Sequence, residues 1–163
     1  MTHKVLVVDD DAEVRAALVQ TLELADIDVV SAGSFVEAKD YISRDFSGVI
    51  LSDIRMPGRD GFYLLEYALA QDSELPVILL TGEGDVPTAV SAMGKGAFGF
   101  LEKPCAASEL LGVLEQALKT RDLVLENRRL KAQLERGDPA ERLVFGVSDL
   151  ANDLRAQVRR VAA

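Results

Sequence analysis

Val49-Ile50-Leu51-Ser52-Asp53-Ile54-Arg55-Met56-Pro57-Gly58 is the stretch that decides how this chain folds. A continuous apolar run ends in one aspartate, and a Met-Pro-Gly turn follows at once. Such a run reads as a strand buried on both faces, as in a parallel sheet. Pro57-Gly58 then breaks the regular structure. Asp53 is therefore expected where a parallel strand gives way to its loop. That is the carboxyl edge of the sheet, where open α/β folds gather their chemistry.

The same grammar recurs on either side. Lys4 to Val8 is a short apolar strand that runs into Asp9-Asp10-Asp11. Asp11 suits the N-cap of a helix with Val14, Ala17, Leu18, Thr21 and Leu22 on one face. Ile27 to Ser31 reads as a second strand, and Ser34 as the cap of a helix with Phe35, Ala38 and Ile42 apolar. After the Asp53 strand, Gly61 to Ala70 is helical, and Pro76 to Leu80 is a strand ending at Thr81-Gly82. Val86 to Met93 is helical, Phe98 to Glu102 is a strand ending at Lys103-Pro104, and one long helix runs from Ser108 to about Glu135. Strands alternating with helices imply an α/β fold, a parallel sheet covered on both faces.

Composition sets the outer bounds. The chain has 163 residues, 48% hydrophobic and 28% charged, enough for one domain and an appendage. Its net charge of -9 argues against nucleic-acid binding by this fragment. A single cysteine, Cys105, excludes an intrachain disulfide or a cysteine metal cluster. No apolar run reaches the roughly 20 residues of a membrane helix, and the N-terminus lacks a signal-peptide pattern. The expectation is a cytoplasmic protein with no membrane partner.

In a parallel sheet, Asp9, Asp10, Asp53, Thr81 and Lys103 all fall at one edge and converge. The carboxylates repel one another unless a cation relieves them. Mg²⁺ suits a small, oxygen-rich, acidic pocket. Lys103 adds a point charge able to pair with Asp53 or with an oxyanion attached to it. Thr81 offers a hydroxyl donor. Together they make a site for an aspartyl phosphate, with Asp53 the nucleophile. Each signal is weak alone: Asp-Asp caps helices, Lys-Pro makes surface turns, and a terminal threonine is commonly structural. Their joint occurrence at successive strand ends gives the reading its force.

The residues Val7-Val8-Asp9-Asp10, Ser52 to Gly58, Leu80-Thr81-Gly82 and Leu101-Glu102-Lys103-Pro104 resemble the receiver domain of two-component response regulators. The resemblance covers about residues 3 to 120. It implies a flavodoxin-like, doubly wound, five-stranded parallel sheet of order 2-1-3-4-5. It implies that Asp53 takes a phosphoryl group from a sensor histidine kinase. Asp10, Asp53 and the backbone carbonyl of Arg55 would hold Mg²⁺, with Asp9 acting mostly through water. Thr81 would move to the phosphoryl oxygen, Phe100 would be the aromatic switch, and the Lys103–Pro104 bond would be cis. Glu83 departs from what relatives often carry two residues after the threonine. Cys105 replaces a usual apolar aromatic and reads as a small hydrophobe. His3 reads as incidental.

Beyond residue 120 the last helix runs on without Pro or Gly until Gly137-Asp138-Pro139. With Leu123 and Leu130 at d positions of a heptad, Val113, Thr120, Asn127 and Leu134 fall at a. One Asn at an a position fixes register in two-stranded coiled coils. A homodimer through Leu123, Asn127, Leu130 and Leu134 is expected. Residues 142–148, Arg-Leu-Val-Phe-Gly-Val-Ser, resemble the opening of the ATPase domain in the nitrogen-regulatory class, whose members act with sigma-54 RNA polymerase. No Gly-x-x-x-x-Gly-Lys-Ser/Thr stretch is present in this chain. The expected organisation is a receiver domain over 1–120, a helical coiled-coil linker over 121–138, and the start of a truncated AAA+ ATPase domain over 139–163.

The expected function is a phosphorylation-controlled switch rather than an enzyme. A Mg²⁺-dependent phosphohydrolase is the alternative, opposed by Arg55 standing where a second acid would be needed. A receiver-like scaffold that works without phosphorylation is the other.

Overall fold

Buried on both faces, strands β1 (Lys4–Val8), β3 (Gly48–Asp53) and β4 (Val77–Thr81) carry almost nothing but aliphatic side chains. With β2 (Asp28–Ala32) and β5 (Gly99–Glu102) they form one parallel sheet of order β2-β1-β3-β4-β5. This computed structural model describes residues 4–82 and 85–135. The expectations for His3, Glu83 and residues 139–163 concern positions outside these described residues.

The two-residue period of each strand splits the core into two layers. Leu6, Val8, Ile50 and Leu79 face α2 (Phe35–Ala38), α3 (Gly61–Gln71) and α4 (Val86–Gly94), meeting Phe35, Leu64, Leu65, Ala68 and Ala92. Val5, Val7, Val49, Leu51, Ile78 and Leu80 face α1 (Ala12–Leu24) and α5 (Ala107–Glu135), meeting Leu22, Leu110, Leu114, Ala117 and Leu118. All the crossovers return to the same sheet, so every strand's carboxyl end lies on one edge.

The second helix is shorter than its apolar spacing predicts. α2 ends at Ala38, a 3-10 turn covers Lys39–Tyr41, and Ile42 is extended. Ile42 is still buried. The tighter turn lets it reach the core while the chain bends toward β3. The caps follow expectation: Asp11 accepts from the Glu13 and Val14 amides at the start of α1, and Ser34 from Glu37 at the start of α2.

The chain forms two units, one ending at Val124 and the other beginning at Leu125. In the first, Arg121 is fully buried on α5. In the second, α5 continues to Glu135, with an ion pair between Glu126 and Arg129. Leu123, Leu130 and Leu134 are 64%, 48% and 39% exposed, and Asn127 is exposed as well. Among the described residues, no helix is long and apolar enough to cross a membrane.

Candidate functional site

The strand ends bring three carboxylates together. Asp9 and Asp10 follow β1, and Asp53 ends β3; one oxygen from each lies within 4.8 Å of the others. Asp9 is fully buried, Asp53 nearly so, and Asp10 is exposed. Asp9 is held on both sides. Its Oδ1 accepts from the Asp11 amide at 2.9 Å, and its carbonyl accepts from Arg15 Nη1 at 2.6 Å. Sequence reasoning passed over Arg15. Its position four residues after the Asp11 cap, one turn up α1, is the signal that could have found it.

Asp53 is positioned by its own strand and by the helix that follows. The Ile54 amide donates to Leu80 O at 3.1 Å, and the Gly61 amide to Ile54 O at 2.8 Å. A Cβ on Gly61 would sit 2.6 Å from Asp53 O and 2.7 Å from Ile54 Cα, so the first turn of α3 can approach only without a side chain. Gly58, at φ +77, turns the intervening loop. Asp60 caps α3 through the Tyr63 amide at 2.9 Å.

Lys103 arrives from β5. Its amide donates to Thr81 O at 2.8 Å, and its Nζ lies 3.0 Å from Asp53 Oδ2 and 3.2 Å from Asp9 Oδ2. The Lys103–Pro104 peptide is cis. Burial pushes the Asp53 carboxyl above its ordinary range, and the Asp9 charge acts the same way; Lys103 and the Arg55 amide oppose them without cancelling them. Burial alone would lower the Lys103 ammonium, but the hydrogen bonds and charges of Asp53 and Asp9 hold it above its ordinary value.

The remaining candidates stand further out. Thr81 is buried at the end of β4, and its hydroxyl donates to Leu101 O at 3.4 Å. Phe100 on β5 is 40% exposed. The exposed Arg55 side chain pairs with Asp85 at 3.0 Å. Cys105 is half-buried against the α1/α5 layer, and burial pushes its thiol up, which suits a packing role. It also lines an apolar cavity of about 590 Å³ with Val14, Ala17 and Leu18, so the apolar face of α1 is only partly covered.

Asp9, Asp10 and Asp53 thus form a hard, all-oxygen donor cluster beside a lysine, and receiver domains generally bind Mg²⁺ at an acidic pocket. The chain belongs to the response regulator receiver domain family, which it matches over residues 5–115. The C4-dicarboxylate transport transcriptional regulatory protein DctD of Pseudomonas aeruginosa is 48% identical over 160 residues, covering 98% of this chain and 35% of that protein. FixJ of Bradyrhizobium diazoefficiens is 36% identical over 168 residues, covering 96% and 80%. The crystal structure of a receiver domain protein from Clostridium thermocellum superposes with a TM-score of 0.70 at 30% identity, covering 75% of this chain and 98% of that one. Relatives of the sigma-54 activator class also include NtrC and NtrX. The general role of the family is phosphorylation-dependent regulation. The chain spans about a third of DctD's length.

Proposed function

We propose that Asp53 is the phosphoacceptor and that its phosphorylation by a sensor histidine kinase changes how two copies of the chain pair. The observation that carries this reading is the Lys103 ammonium, 3.0 Å from the Asp53 carboxylate at the mouth of a three-carboxylate pocket. An Asp53 oxygen attacks the phosphorus of a phosphohistidine. The new O–P bond forms as the N–P bond breaks, and its electron pair returns to the imidazole, which then takes a proton. Lys103 offsets charge on the phosphoryl oxygens. The Thr81 hydroxyl leaves Leu101 O for the phosphoryl group, and Phe100 follows it inward. Asp9, Asp10, Asp53 and the Arg55 carbonyl would hold Mg²⁺, which neutralises phosphoryl charge when bound.

The output leaves through the linker. Leu123, Asn127, Leu130 and Leu134 pair with those of a second copy, and the dimer's arrangement controls an ATPase domain acting with sigma-54 RNA polymerase in a longer protein. The divisions at residues 120 and 138 belong to this same reading. Support comes from the exposure of those leucines on a continuous helix. Phosphorylation adds roughly -1.5 to -2 charge, and shifting a two-state dimer from off to on needs about 5.5 kcal/mol of differential stabilisation. Sedimentation with Mg²⁺, with and without beryllofluoride, tests the proposal. A shift in association that Asp53→Asn abolishes is expected; a shift that survives Asp53→Asn contradicts it.

A further inference from the structure

The most completely bonded side chain among the described residues lies far from the phosphoacceptor. Arg121 is fully buried on α5, and all five of its guanidinium N–H groups have partners. Nε and Nη2 donate to Phe46 O at 3.0 and 2.9 Å, and Nη2 also donates to Arg44 O at 3.0 Å. Nη1 donates to Asp72 Oδ2 at 2.8 Å and to Glu74 O at 3.4 Å. Asp72 is itself fixed in a turn, accepting from the Glu74 amide at 3.0 Å.

The partners share a location. Arg44 and Phe46 lie in the segment that leads into β3, and Asp72 and Glu74 in the segment that leads into β4. Those two strands end in Asp53 and Thr81. One guanidinium thus grips the amino ends of the two strands whose carboxyl ends carry the candidate phosphoacceptor and its reading hydroxyl. Lysine could not do this, because a single ammonium lacks the planar fork that spans both segments. A buried ion pair is a poor device for raw stability, since apolar replacements often do as well. Its value lies in specifying one geometry.

We propose that Arg121 is the joint between the receiver and its output helix. It docks α5 up to residue 124 on the feet of β3 and β4, so that a change at the far ends of those strands is passed to the helix instead of being lost in local undocking. Its regulatory part rests on the switch reading above, whereas its docking part does not.

Hydrogen exchange on the full chain, free of metal and phosphodonor, tests the docking. The variants are Arg121→Lys and the double substitution Asp72→Asn/Arg121→Met. The double variant strands no buried charge, and its asparagine keeps an oxygen for the Glu74 amide. Amides of residues 117–124 are expected to exchange on the order of tenfold faster or more in both variants, while β1 and β3 keep their protection. Unchanged protection at 117–124 overturns the proposal. A loss spread evenly over the sheet also overturns it, making Arg121 an ordinary core residue. Adding Mg²⁺ and beryllofluoride then tests the coupling. The variants are expected to lose most of the wild-type change in association, and an undiminished change overturns the joint. A wild type that does not respond contradicts the switch reading, and the exchange result alone then decides the docking.

Discussion

Lys103 Nζ lies 3.0 Å from Asp53 Oδ2, and this ion pair joins the end of β3 to the loop after β5. The same ammonium reaches Asp9 at 3.2 Å. Asp53→Asn and Lys103→Met therefore remove opposite halves of one electrostatic arrangement, and their effects should differ in sign.

Asp53→Asn should stabilise the metal-free protein at neutral pH. Burial raises the Asp53 pKa above its ordinary 3.8, so the folded state favours the protonated form. The stability this group contributes is fully present below the unfolded pKa and is lost as pH rises through the folded one. The amide has no such loss. Thermal melts in chelator should show the variant's advantage growing as pH rises from about 4, the ordinary carboxylate range. An advantage that shrinks as pH rises would be the wrong sign.

Lys103→Met should destabilise the metal-free protein, because Asp9 and Asp53 then face each other without a cation. The loss should be about 1–2 kcal/mol in urea melts, at the lower end because the lysine is 30% exposed. Adding Asp53→Asn to this variant should recover most of that loss. No recovery would mean that Lys103 serves the fold through its packing instead.

Asp10→Asn should leave the melting curve nearly unchanged, since Asp10 is exposed. Its Mg²⁺ affinity by calorimetry should fall tenfold or more, about 1.4 kcal/mol. An unchanged affinity would remove Asp10 from the metal-binding set.

Leu130→Ala should weaken dimerisation at least tenfold by sedimentation without altering the melt of the receiver sheet. Leu130 is 48% exposed, so its truncation costs a single copy little. Equal association of variant and wild type would place the dimer contact elsewhere.

The architecture was readable because the central strands are buried on both faces and show as unbroken apolar runs. Those strands and the edge strand β5 each end in or run into a polar residue, so the parallel order alone brings Asp9, Asp53, Thr81 and Lys103 to one edge. Arg121 escaped because its burial depends on contacts between segments distant in sequence. Arg121, between Thr120 and Asp122, looks like part of a solvated helix face. Its burial depends on carbonyls 75 and 77 residues away. A signal was present: Leu110, Leu114, Ala117 and Leu118 are the buried side of α5, and Arg121 continues their three-to-four-residue spacing. The shortening of α2 was hidden for a different reason. Phe35, Ala38 and Ile42 keep helical spacing although the chain leaves the α-helix between the last two.

Intact-mass analysis after incubation with Mg²⁺ and a small-molecule phosphodonor tests Asp53's role most directly. One phosphoryl group per chain is expected, acid-stable and base-labile, and none on Asp53→Asn. An adduct of equal yield on Asp53→Asn, or rapid multiple turnover of the donor with no accumulated adduct, would contradict that role.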